Sequence, residues 1–148
     1  ITIICKNTGG SPAKNVRAVV VLDSANHDLF SRQRADCTKA EGISKYDTIP
    51  AVPKNESVEQ IFELRSEGGL EDFTAQSTMG ERILTPVIMG CAAYETTFDK
   101  VVHHASFAFN IQQVGPNGGI DMIAPKVQTV LFQDIKITPS VFAENAGD

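Results

Sequence analysis

A chain of 148 residues, 21% charged and 42% hydrophobic, is of single-domain length and too apolar to be disordered. Its net charge of −5 excludes nucleic acid as a partner, because phosphate binding needs a basic footprint. The sequence holds no apolar run of roughly 18 residues, so no helix of this segment inserts directly into a membrane.

The first element is a strand-like run, Ile1-Thr2-Ile3-Ile4-Cys5. A chain that opens on Ile1, already inside a strand, reads as truncated or processed. Asn7-Thr8-Gly9-Gly10-Ser11-Pro12 is a turn signal, and residues 14–22 form a second strand, joined to the first as a hairpin or a tight β-arch. Ser24 to Lys45 is polar, with weak helical spacing around Leu29-Phe30, and holds a short helix or an irregular strand. No segment has a convincing amphipathic helical pattern. Pro50 and Pro53 bracket a loop before the strand Ser57 to Leu64, in which Val58, Phe62 and Leu64 share the buried parity. Ser66 to Gly80 is an acidic loop, either mobile or carrying a short helix.

Residues 82–95 form the next strand. Pro86 cannot donate to a ladder and marks a strand start, an edge or a bulge. The chain reverses across Thr96-Thr97-Phe98-Asp99 into a strand from Val101 to Ile111. There the odd positions (Val101, His103, Ala105, Phe107, Phe109, Ile111) are nearly all apolar and the even ones mixed, the pattern of a half-buried strand. Gly115 to Gly119 is a turn. The last strand, 127–138, carries Val130 and Phe132 on one face and Leu131 and Ile135 on the other, and residues 141–148 are a flexible tail.

Short strands punctuated by Gly and Pro predict an all-β fold: an Ig-like two-sheet antiparallel β-sandwich of about seven strands over residues 1–140. A partly closed barrel is the alternative. Val19, Val21, Phe62, Ile88, Phe107, Phe109, Leu131 and Ile135 are the expected core.

The chain shows no constellation for catalysis. His103 and His104 are adjacent, so a strand points them to opposite faces and they do not readily share a metal. His103, on the apolar face, reads as a buried, hydrogen-bonded histidine. A metal site would have to recruit His27 or a carboxylate. Gly42-Ile43-Ser44-Lys45-Tyr46 lacks the last glycine of a nucleophile elbow, and Gly115 to Gly119 lacks the Lys-Ser/Thr ending of a phosphate loop. No catalytic, cofactor-binding or metal-ligating residue is assigned, and no cofactor is expected. Residues 55–81 carry seven acids against Arg65 alone, whereas the first 45 residues carry seven bases and four acids. This asymmetry reads as solvated surface before a docking patch. Cys5, Cys37 and Cys91 are an odd number, so one at least has no partner in the chain. Cys5 and Cys91 sit where a bridge between sheets would, but without a Trp to pack on it free thiols are favoured. Free thiols lean towards a cytoplasmic setting.

Two blocks resemble a known group. Lys6-Asn7-Thr8-Gly9-Gly10-Ser11-Pro12-Ala13-Lys14-Asn15-Val16-Arg17 is similar to a strand–turn–strand near the start of many small Ig-like bacterial domains. Gly90-Cys91-Ala92-Ala93-Tyr94, followed by Phe98-Asp99, His103 and Phe107, resembles a later hairpin of the same group. These are the C-terminal domains of poorly characterised membrane-anchored proteins. The resemblance implies a membrane-tethered parent and no activity. The function expected is a non-enzymatic structural or protein-interaction module, with a protein partner or self-association. Its rival is a ligand-binding or hydrolytic domain with a site built from loops 23–56 and 66–80.

Overall fold

A computed structural model describes residues 1–44, 48–64, 70–76, 80, 82–99, 101–115, 120–121 and 135–140. The protein is mostly β, with antiparallel sheets in a sandwich-like arrangement. The strands are β1 (Thr2–Lys6), β2 (Ala13–Ser24), β3 (Ile49–Val52), β4 (Ser57–Ile61), β5 (Thr74–Gln76), β6 (Arg82–Leu84), β7 (Pro86–Glu95), β8 (Val102–Val114), β9 (Ile120–Asp121) and β10 (Ile135–Pro139). One helix, α1, spans Leu29–Glu41. The main sheet runs β10-β8-β7-β2-β3, with β9 beside the end of β8. β1 pairs only with β4, and β5 with β6.

Ten strands among the described residues stand against an expectation of about seven; three are the short β3, β5 and β9, and one arises locally. Thr85 splits the run 82–95, because its backbone N–H turns to the carbonyl of Phe73 (2.8 Å) and its carbonyl accepts from Ala25 (2.9 Å). β1 and β2 join different sheets, so the connection between them is an arch and not a hairpin. The β7–β8 hairpin falls where the sequence puts it, with Glu95 opposite Val102. Pro86 starts its strand, as its missing N–H requires. β7 is not an edge, however, because it lies between β2 and β8. The segment 127–134, with Leu131 and Phe132, and the tail 141–148 lie outside the described residues.

The helix was the least legible element. Asp28 caps it, accepting from the Ser31 N–H (3.3 Å) and the Ser31 hydroxyl (2.6 Å), which satisfies N-terminal donors the helix cannot. Those bonds hold the Asp28 carboxyl below its usual range. Leu29, Gln33, Asp36 and Ala40 form its buried stripe. The spacing is helical, but Gln33 and Asp36 are polar, so a search for apolar periodicity passes over it.

α1 lies on one face of the main sheet. The strand registers place four rows of residues on that face: Asp23–Val87–Asn110, Val21–Met89–Ala108, Val19–Cys91–Ser106 and Arg17–Ala93–His104. The apolar centre, Leu29 with Val87, Met89 and Ala108, is the buried core. Cys37 on the helix is bonded to Cys91 in the third row. This overturns the expectation of free thiols. The partner of Cys91 sits in a helix that was only one of two readings of Ser24 to Lys45, and Cys5 is the free cysteine. Polar groups close both ends. Arg32 pairs with Asp23 at 3.2 Å near the helix start. At its end Arg17 donates to the Glu41 carbonyl (3.0 Å), a cation placed where the helix dipole is negative, and the His104 ring meets the Glu41 carboxylate (2.8 Å).

The face of β8 turned to the helix is therefore the mixed one, and the phenylalanine face lies on the other side of the sheet. There Val20–Gly90–Phe107 and Leu22–Ile88–Phe109 form rows. Of the expected core, only Ile88 is fully buried among the described residues; Val19, Val21, Phe62, Phe107, Phe109 and Ile135 are half-buried. The strand at the centre of burial is β7, covered from Val87 to Ala93 on both faces. Val101, placed on the apolar face by parity, is exposed just before β8 begins.

Asp36 is a cost of this seating. It is 3% exposed, one carboxylate oxygen accepts from Lys39 at 3.2 Å, and the other has no hydrogen-bond partner. Burial raises its pKa, and the neighbouring Asp23 adds to the rise, against the opposing pull of Lys39 and Arg32. A raised folded pKa means full stability below the ordinary aspartate value and a loss as pH climbs through the folded one. Asp36→Asn should thus stabilise the protein at pH 7, by about 1 kcal/mol given the cost of an unpaired buried oxygen. The gain should vanish near pH 3. Denaturant melts at the two pH values test this, and an equal effect at both would remove burial of charge as the cause.

Candidate functional site

The titratable side chains come first, because they would carry any chemistry. His103 and His104 point to opposite faces as expected. His104 faces the helix and pairs with Glu41. His103 stacks on Tyr94 (ring centroids 5.5 Å apart) and bonds Asp99 at 3.1 Å. His103 is half-buried and not buried, because it stands beside the turn of the hairpin. Its bond, with that from Thr96, holds the Asp99 carboxyl below its usual range. His27 is elsewhere, with its Nδ1 on Asp23 at the helix start. Asp23 also accepts from the Ser24 N–H (2.7 Å) and Arg32. The three histidines are thus each tied to a different carboxylate and do not converge. Among the described residues no group of three or more His, Cys, Asp or Glu side chains is placed to hold a metal.

The polar residues of 23–56, which the rival reading needs for a loop site, are largely spent on structure. Ser24 to Gly42 is a turn and the helix, and its charged groups hold that helix to the sheet. Of the acids in 55–81, Glu56, Glu59, Glu63 and Asp72 are exposed. Glu67 and Glu81 lie outside the described residues.

The turn block Asn7 to Ser11 is also structural. The Asn7 side-chain amide donates to the carbonyls of Ser11 (2.8 Å) and Val52 (2.9 Å), and its oxygen accepts from Gly9 (3.0 Å). Its backbone bonds Glu56 and Asn55. One residue thus ties the end of β1, the turn after it, the end of β3 and the turn into β4. This explains why an asparagine serves there: no other short side chain offers two donors and an acceptor at once.

What remains is the β1–β4 ribbon. Its residues alternate between a half-buried face (Ile3, Cys5, Val58, Gln60) and an exposed one (Thr2, Ile4, Lys6, Ser57, Glu59, Ile61). Ile4 is 61% and Ile61 81% exposed. They are diagonal neighbours, because Thr2 faces Ile61 and Ile4 faces Glu59, and diagonal side chains on one face of a strand pair are within reach of each other. Burial pushes the Cys5 thiol pKa up on the inner face.

The ribbon's hydrogen bonds fix which backbone groups look outward. Ile1 and Phe62 exchange bonds in both directions (2.6 and 2.8 Å), and Asn7 donates to Glu56 (3.0 Å). Alternation along an antiparallel pair then turns the N–H and C=O of Thr2, Ile4 and Lys6 away from β4, and those of Ser57, Glu59 and Ile61 away from β1. Among the described residues no strand pairs with either outer edge. The sequence offered an edge only as one reading of Pro86. β1 was overlooked, although Thr2-Ile3-Ile4 is as β-prone a triplet as the chain contains.

No protein-family model, curated protein or solved structure matches the chain. Among the described residues no helix is long and apolar enough to cross a membrane.

Proposed function

We propose that the protein is a non-enzymatic structural or protein-interaction module that takes up an extended partner segment at the β1–β4 ribbon. The observation that carries this reading is a strand edge with outward N–H and C=O groups beside an exposed apolar pair, Ile4 and Ile61. Such an edge recruits another strand through main-chain bonds, and its side chains supply selectivity. The polar clusters support it from the other side, because each has a structural duty. The Ig-like character of the sandwich and a membrane-tethered parent rest on the likeness of the blocks Lys6–Arg17 and Gly90–Tyr94 to such domains. The bridge between Cys37 and Cys91 favours an oxidising compartment over a cytoplasmic one.

A photo-crosslinking amino acid at Ile4 or Ile61, in the native host, tests the reading. Discrete crosslinks to protein are expected from both positions and not from Arg34, on the exposed side of α1. Equal labelling from all three, or none from the ribbon, would end it.

A further inference from the structure

The partner at the ribbon has a definite chemistry. Resting on the interaction-module reading, we infer that β1 pairs antiparallel with β1 of a second copy of this chain, about a two-fold axis through Ile4.

Leaving aside β5, β6 and β9, which have only two or three residues each, four strands present an edge among the described residues, and they are not equivalent. β3 is short and contains Pro50, which cannot donate. β10 carries Lys136 and ends at Pro139. Charge and proline are the usual means of blunting an edge. β4 has its central outward position at Glu59, so a two-fold there would set two carboxylates face to face, which destabilises a strand pair. β10 presents Ile137 at its central outward position, but its outward Pro139 cannot donate; β1 has an apolar residue, Ile4, at its central outward position and no proline.

The sequence of β1 is also complementary to itself. A two-fold through Ile4 sets Ile4 opposite Ile4, Thr2 opposite Lys6, and Ile3 opposite Cys5 of the other copy. Apolar side chains meet at the axis, and no like charges stand opposite each other. Each outward residue exchanges its N–H and C=O with its counterpart, which is the closely bonded pair of an antiparallel ladder. The two ribbons become one sheet in the order β4-β1-β1-β4. A lone two-stranded ribbon is marginal in water, whereas a sheet of three or more strands sustains itself. The exposed Ile61 of each copy then flanks a continuous apolar row with both Ile4 side chains.

The register makes the inference sharp. Residues paired across the axis have Cα atoms about 5.5 Å apart, inside the range a disulfide spans. The two Thr2 residues would lie about 14 Å apart along the strands, at 3.4 Å per residue. In a Cys5→Ser background, Ile4→Cys should therefore form a disulfide-linked dimer under mild oxidation, about tenfold more than Thr2→Cys. Both are exposed positions, so both variants should keep the parent's circular dichroism. Sedimentation of the unmodified chain should show a concentration-dependent dimer, and Ile4→Pro should shift it to monomer.

Equal crosslinking from Thr2→Cys and Ile4→Cys would refute the register. A strict monomer at high concentration, without a covalent dimer from Ile4→Cys, would refute the second copy. If photo-crosslinks at Ile4 then led to a different protein, the module reading would stand and this inference alone would fall.

Discussion

Loss of the Cys37–Cys91 bridge should cost roughly 4 kcal/mol, the loop-closure value for a separation of 54 residues. The location of the bridge makes a large effect the expected one. Cys91 is fully buried in the central strand, and Cys37 sits on the only α-helix among the described residues. The rest of the helix seat is thin. Leu29 and Ala40 are its buried apolar residues, Gln33 and Asp36 its buried polar ones. The partners beneath it, Ala108, Ser106 and Ala93, are small. The ties at its ends are ion pairs with partly exposed members, which contribute little each. Denaturant unfolding of Cys37→Ala, and of the unmodified chain with a reductant, should show the loss. Helical amides should also exchange with solvent before those of β7 do, because the helix loses its anchor while the strand keeps both neighbours. An unchanged midpoint in the reduced protein would show that the helix is seated without the bridge.

Gly90→Ala should be the most damaging small substitution in the chain, costing about 3 kcal/mol or more, at the upper end of overpacking effects. A Cβ at this position would lie 2.1 Å from the Val19 carbonyl oxygen and 2.8 Å from Cζ of Phe107. The phenyl ring could swing aside, but the carbonyl belongs to the backbone of β2 and is held by the strand pairing on either side. The substitution therefore has to push two central strands apart. Gly10→Ala is the natural control, since nothing lies within 4 Å of its Cβ, and it should be close to neutral. Thermal unfolding of the two variants side by side decides the matter. If Gly90→Ala melts with Gly10→Ala, the close approach of β2 and β7 is not as described.

The parts of the fold that follow simple periodicity were legible. β4 and β7 fall within the predicted runs, and β2 and β8 overlap theirs and run one to three residues past them, because alternation survives wherever one face is wetter than the other. The helix was only half legible: it was one of two readings of Ser24 to Lys45, and periodicity could not decide between them because its buried stripe carries Gln33 and Asp36. The unsettled helix had consequences. Without it Cys37 had no evident partner for Cys91, and β8 had no reason to turn its small, mixed face inward. Phe107 and Phe109 were assigned to the core because they share the apolar parity of their strand, yet the sheet meets the helix through Ala108 and Ser106, which let the helix come close. The exposed strand edge was half legible. An edge was expected, but Pro86 drew attention to a strand that turned out to be central. The bulge between Lys14 and Arg17, with Asn15 at φ 49°, is a further feature that alternation does not foretell. It turns Arg17 under the end of the helix.

Cys5 has a bearing on how the molecule is made. Before the ribbon closes, three thiols compete, and only one of the possible pairings is native. A thiol attacks as its thiolate, and burial on the inner face of the ribbon keeps Cys5 protonated. Early closure of β1 on β4 would thus withdraw the wrong nucleophile from the exchange while Cys37 and Cys91 find each other. Asn7, which joins the ribbon to the turn after β3, would in this way guard the fidelity of oxidation at a bond it never touches.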